Sequence, residues 1–225
     1  MARDKKGRSR LFYLLILLTA LIIIYPILKD SPFQGVTLNS IFTFILIAIV
    51  YGIRGKRWII FVGMIIGIPW LTIVWINLRL NVLSLRIVSA ILMTFLFSYT
   101  LVILIRHIIE AKEISADLLY GAGCIYMLIG FAWSGIYITM ELIRPESYLQ
   151  STAEGYKPVS YSSDLVYYSF TTLTTLGYGD ITPQLPISRS FAILEAITGV
   201  LFMGILIGTI VGIYVAHRAH ARRKD

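Results

Sequence analysis

The chain reads as an all-α membrane protein with six transmembrane helices and a short re-entrant helix between the fifth and sixth. Of its 225 residues, 57% are hydrophobic and 14% charged, and the mean hydropathy is +0.80, a balance outside the range of soluble domains. The apolar residues fall in six runs, 11–28, 38–53, 58–76, 82–105, 118–142 and 187–214, the second short and the last two long. A run of about 20 residues crosses a hydrocarbon core roughly 30 Å thick. The only long connection, residues 143–186, holds Thr174-Thr175-Leu176-Gly177-Tyr178-Gly179-Asp180. The division that follows is a terminal segment 1–10, a four-helix block 11–105, a link 106–117, a second block 118–216 and a basic tail 217–225.

The net charge of +8 raises the question of a nucleic-acid partner, and its distribution argues against one. Arg3, Lys5, Lys6, Arg8 and Arg10 precede the first run, Arg54, Lys56 and Arg57 separate the second and third, and Arg106 and Lys112 follow the fourth. Arg218, Arg222, Arg223 and Lys224 follow the sixth. Lys29, Arg79, Arg86, Arg144, Lys157 and Arg189 fall on the other side. This is the positive-inside pattern: both termini cytoplasmic, the long connection at the outer face, the expected location the plasma membrane. The run from Leu11 to Leu28 exceeds a signal-peptide core of about 7 to 15 residues and reads as a retained span. Cys124 is the single cysteine, so no intrachain disulfide forms.

The first four runs offer little for sensing voltage. Arg79, in the loop before the fourth run, and Arg86, near its outer end, are followed by the apolar stretch from Ile87 to Ile105 where gating charges would lie. No Asp or Glu occurs between Ser31 and Ile109 to partner buried arginines. A scaffold without strong voltage sensing is expected. Gly63, Gly67 and Pro69 mark either a close packing face or a kink. The polar link is the natural boundary between blocks, with Ser115 and Asp117 as candidate caps for the fifth helix.

The fifth run carries Gly121, Gly123, Gly130 and Gly135, which permit close helix approach, with Trp133 and Tyr137 toward its outer end as interfacial aromatics. Residues 145–161, with Pro145, Gly155 and Pro158, read as an exposed loop. Ser162-Ser163-Asp164 then starts a short re-entrant helix running to Thr174. Its carboxyl end would point the negative pole of its dipole toward the membrane centre, which favours a cation. Gly177 and Gly179 allow positive φ, so successive carbonyls of the following strand can face one way.

On these residues, the stretch from about 118 to 216 resembles the pore domain of the potassium channel superfamily, with outer helix, turret, pore helix, T-L-G-Y-G-D filter and inner helix, preceded here by four extra transmembrane helices. The resemblance implies a homotetramer, since each chain supplies one filter loop, and passive potassium conduction with no cofactor beyond the permeant ion. It implies that K+ is held by the carbonyls of Thr175, Leu176, Gly177 and Tyr178 and the Thr175 hydroxyl, with Gly179 completing the filter, Asp180 at its mouth and Thr174 facing the cavity. Leu176 departs from the more usual valine. Thr171 stands where some members carry a glutamate that bonds the filter aspartate, and Tyr167 and Tyr168 stand where many have tryptophans of an aromatic cuff. Gly199 matches the position of a hinge glycine.

In the sixth run, Gly204, Gly208 and Gly212 form a stripe that reads as close helix packing, and Glu195 is the single carboxylate, either a buried hydrogen-bonding group behind the filter or part of gating or ion attraction. A non-selective cation channel and a non-conducting regulatory subunit remain the alternatives. An enzyme is not expected: His107, His217 and His220 lie at helix ends, and no metal-ligand or nucleophile-base spacing occurs. After Tyr214 no nucleotide- or calcium-binding domain is expected, and the basic tail is expected to meet anionic lipid of the bilayer.

Overall fold

The computed structural model describes residues 10–28, 34–52, 57–109, 116–159 and 162–222. Readings made for residues 1–9, for Lys29, Arg54 and Lys56, for link residues 110–115 including Lys112 and Ser115, and for Arg223 and Lys224 lie outside the described residues.

Apolar composition and strong helix formers give seven helices among the described residues: α1 (Arg10–Ile27), α2 (Gln34–Gly52), α3 (Arg57–Leu80), α4 (Leu83–Ile109), α5 (Ala116–Ile143), α6 (Ser162–Leu173) and α7 (Pro186–Arg222). Four described stretches are long and apolar enough to cross a membrane: Trp58–Leu80, Leu83–Arg106, Leu118–Ile143 and Pro186–Thr209. The apolar stretches Leu11–Ile24 of α1 and Val36–Ala48 of α2 are shorter. Pro69 sits inside α3 without ending it, and Gly67 beside it lets the Leu46 side chain of α2 approach.

Helix α3 continues four residues past the expected end. Arg79 therefore belongs to its last turn, not to a loop, and only Asn81 and Val82 separate α3 from α4. Asn81 takes a φ of 47°, and the Asn77 side chain accepts the Val82 N–H at 2.8 Å. Asparagine tolerates this left-handed position because its short polar side chain bonds locally.

The first four helices pack in a row, α1 on α2, α2 on α3, α3 on α4, and the two ends of the row, α1 and α4, both lie on α5. A file of aromatic rings crosses the enclosed space. Phe42 of α2 meets Trp70 of α3 at 5.2 Å between centroids, Trp70 meets Phe97 of α4 at 6.1 Å, Phe97 meets Phe131 of α5 at 5.6 Å, and Phe131 meets Phe170 of α6 at 5.3 Å. Five helices thus share one core.

Residues 145–159 are largely exposed, as expected, but they are not an irregular loop. They contain the hairpin β1 (Tyr148–Thr152) and β2 (Gly155–Pro158), and β3 (Ile181–Pro183) adds to its other edge in the order β2-β1-β3, all antiparallel. Thr152 pairs with Gly155, whose φ of 113° closes the tight turn. Tyr148 is fully buried beneath the sheet.

Candidate functional site: the strand after α6

Asp164 stands in the first turn of α6, where the helix dipole favours an acid. Leu165, Val166, Tyr168, Ser169, Thr171 and Leu173 are buried, which fixes the helix against α5 and α7. At its far end the N–H of Leu176 donates to the Thr171 carbonyl at 2.9 Å and that of Thr175 to Thr172 at 2.9 Å. This paired closure needs a left-handed residue just past the helix, and Thr175 supplies it with a φ of 58°. The Gly177 N–H also donates to Thr171, at 3.1 Å, so one carbonyl anchors the start of the strand.

Beyond Thr175, Gly177 and Gly179 have φ of 50° and 77°, so the hand of the backbone changes at every second residue. A Cβ at either glycine would meet nothing within 4 Å; glycine is required there for conformation, not for room. A β-branched residue in the left-handed region costs on the order of 1–3 kcal/mol, and such strain is concentrated at functional sites. Sequence reasoning assigned the positive φ values to the glycines and missed Thr175, although the two-residue spacing pointed to it.

Residues 174–179 are exposed in the single chain, the large side chains of Tyr178 and Leu176 included, and Asp180 is half-buried. The Thr174 hydroxyl turns back to the Phe170 carbonyl at 2.7 Å. A cavity of about 430 Å³ opens beside the strand, lined by Ile22 of α1, Val166, Tyr167, Phe170, Thr174 and Leu176. The outer end of the strand is clamped by the sheet: Ser151 N–H donates to the Asp180 carbonyl at 2.7 Å, and β3 then pairs with β1 through Gln150 and Ile181.

Of the support residues, Tyr167 has its hydroxyl in the neighbourhood of the Asp180 carboxylate, close enough to feel its charge. Thr171 does not reach Asp180; its hydroxyl donates to the Tyr168 carbonyl at 2.9 Å. Tyr168 is buried in a triangle with Tyr137 and Tyr148, the ring centroids 5.2 to 5.5 Å apart. Burial pushes the Tyr148 hydroxyl well above the ordinary tyrosine range. Tyr137, read from the sequence as an interfacial aromatic, is fully buried and points inward.

On α7, Pro186 occupies the first turn and Ser188 accepts the Leu185 N–H at 3.1 Å, a cap that starts the helix directly after β3. Glu195 is fully buried, and the Tyr137 hydroxyl donates to it at 2.5 Å. Gly199 sits where a Cβ would come within 2.0 Å of the Leu173 carbonyl, so the inner helix touches the end of α6 backbone to backbone. A Cβ at Gly204 or Gly208 would meet nothing of its own chain within 4 Å, so these two glycines are not needed for close packing inside one subunit. Among the described residues no group of His, Cys, Asp or Glu is placed to hold a metal ion.

Among the described residues four helices are long and apolar enough to cross a membrane, the character of an integral membrane protein. Residues 124–216, from within α5 to within α7, match the family model described as "Ion channel", a family of channels and not of enzymes. No curated protein matches the chain.

Proposed function

We propose that this protein is a potassium-selective channel, a homotetramer of six-span subunits that conducts K+ passively, with both termini cytoplasmic and the filter at the outer face. The observation that carries the reading is the alternation of hand at Thr175, Gly177 and Gly179 in a T-L-G-Y-G-D strand at the carboxyl end of a buried short helix. Alternation lets consecutive carbonyls face one way, and rings of such carbonyls from four chains can replace the water shell of K+. The open cavity beside the strand and the bare face of α7 are the surfaces a neighbouring copy would fill. Thr175, Leu176, Gly177 and Tyr178 then hold the ion, Gly179 and Asp180 form the mouth, and Thr174 faces the cavity. Gly199 is the proposed bending point of α7. The exposed Arg79 and Arg86 are too few to drive strong voltage dependence, which leaves anionic lipid at the basic tail as a proposed influence.

Purified protein in liposomes tests this. Wild type should pass K+ far better than Na+ in mixed-ion reversal measurements, and Gly177→Asp should abolish flux while remaining tetrameric on a native gel. Undiminished selective flux in Gly177→Asp would sink the filter assignment. Equal Na+ and K+ permeation would favour a non-selective pore, and silence of the wild type alone a regulatory subunit.

A further inference from the structure

Behind the strand lies a polar junction in an otherwise apolar setting. Glu195 of α7, Tyr137 of α5 and Ser169 of α6 are each fully buried, and they come from the three helices of the pore block. The Tyr137 hydroxyl donates to Glu195 Oε2 at 2.5 Å and lies 3.4 Å from the Phe191 carbonyl. The Ser169 hydroxyl is 2.5 Å from Glu195 Oε1 and 2.7 Å from the Gly130 carbonyl of α5. The other titratable groups close enough to feel the carboxyl's charge are hydroxyls too: Tyr126 from α5, Tyr168 from α6 and Tyr148 from β1. A charge with no cation beside it in such a place is expensive to bury.

Counting hydrogens sharpens the point. Three close oxygen contacts, Tyr137 to Oε2, Ser169 to Oε1 and Ser169 to the Gly130 carbonyl, share two hydroxyl hydrogens. With the carboxyl in its acid form, Oε1 donates to Ser169, Ser169 donates to Gly130 and Tyr137 donates to Oε2, so every contact has its own hydrogen. A network satisfied in this way is rigid, and one missing a member leaves buried groups unpaired.

Ser169 is two residues before Thr171, whose carbonyl receives the N–H groups of Leu176 and Gly177. A displacement of Ser169 along α6 therefore moves the anchor of the strand. Resting on the channel reading above, we propose that Glu195 is a positioning residue for ion selection: its uncharged carboxyl ties α6 to α5 and α7 from behind and fixes the depth and spacing of the ion sites without touching the ion.

The test compares Glu195→Gln, Glu195→Ala, Tyr137→Phe and Ser169→Ala in the full-length protein. Glutamine offers an acceptor oxygen and a donating NH2 group, with two hydrogens, in nearly the same shape as the acid. It should keep the wild-type Na+ to K+ permeability ratio, whereas alanine should raise that ratio several-fold and Tyr137→Phe and Ser169→Ala should each raise it by less. Hydrogen exchange at residues 171–177 gives a readout independent of conduction: faster in Glu195→Ala, unchanged in Glu195→Gln. Wild-type selectivity and exchange in Glu195→Ala would overturn the proposal, as would Glu195→Gln being as damaged as alanine, since that would make charge the working property. If the alanine protein does not fold, Tyr137→Phe and Ser169→Ala decide by the same two readouts. A wild-type protein that selects no ion would overturn the channel reading instead, with the exchange comparison still deciding whether Glu195 positions the strand.

Discussion

Helices α5 and α7 flank the same strand and are both apolar enough to span a membrane, yet 72% of the apolar window of α5 is buried within the chain against 11% for α7. Helix α5 is enclosed by α1, α4 and α6, while α7 touches α5, α6 and the sheet along one narrow face. Ile193, Leu194, Ile197, Val200, Leu201 and Ile205 stand open on α7. Hydropathy identifies a span; what covers the span is a separate property. For α5 the cover is this chain, and for α7 it has to be lipid or further copies, as the proposed shared pore would require.

The contrast is sharpest at the glycines, and the largest expected effect lies there. At Gly199→Val the added carbons collide with the Leu173 carbonyl, a backbone atom at the end of α6 that cannot rotate away. Overpacking costs about 1–3 kcal/mol where side chains can yield and more where backbone must move. A marked fall in melting temperature in detergent and loss of ion flux are expected. Gly208→Ala, which meets nothing of its own chain, should melt like wild type as a separated subunit and show its effect only in assembly on a native gel. A Gly199→Val protein that melts with wild type would break the comparison.

Next in size is the aromatic file that joins the scaffold to α6. Phe131, about 1% exposed, sits between Phe97 and Phe170. Removing it as Phe131→Ala should cost about 3–5 kcal/mol, the range for large-to-small changes in a core. Ile197→Ala on the bare face of α7 should cost a separated subunit almost nothing. Chemical unfolding of the two variants side by side measures the difference; equal losses would mean that α7 is covered within one chain after all.

Much of this arrangement was readable beforehand, and the parts that were not share a cause. The six apolar runs correspond to α1 to α5 and α7, and the signal Ser162-Ser163-Asp164 correctly opened α6, because span length and caps are written in consecutive residues. The sheet was missed because β3 is three residues long and finds its partner β1 across the whole of α6 and the strand after it. Tyr137 was misjudged because an aromatic near a helix end has the same pattern whether it meets lipid or a buried acid. Glu195 was noticed, but Ser169 was not, since their meeting depends on how two helices pack. Thr175 looked like an ordinary filter threonine until the closure of α6 showed it in the left-handed region.

The smallest effect expected is at the outer mouth, where the same strand is held from the solvent side. Tyr167 is partly exposed, and its hydroxyl lies near the Asp180 carboxylate, while the Asp180 carbonyl is held by Ser151 of β1. Tyr167→Phe keeps the ring and removes a hydroxyl near Asp180, a change at a wet surface that costs less than the about 1.5–3 kcal/mol of a buried hydrogen bond to a charged group. The backbone clamp remains, so the melting temperature should not move measurably. Asp180 loses a polar neighbour, so the current through the variant should decline faster during sustained conduction, with permeability ratios unchanged. An identical time course would mean that the sheet alone secures the mouth. Altered permeability ratios would mean that the Tyr167 hydroxyl influences the ion sites, the role proposed for Glu195 from behind the strand.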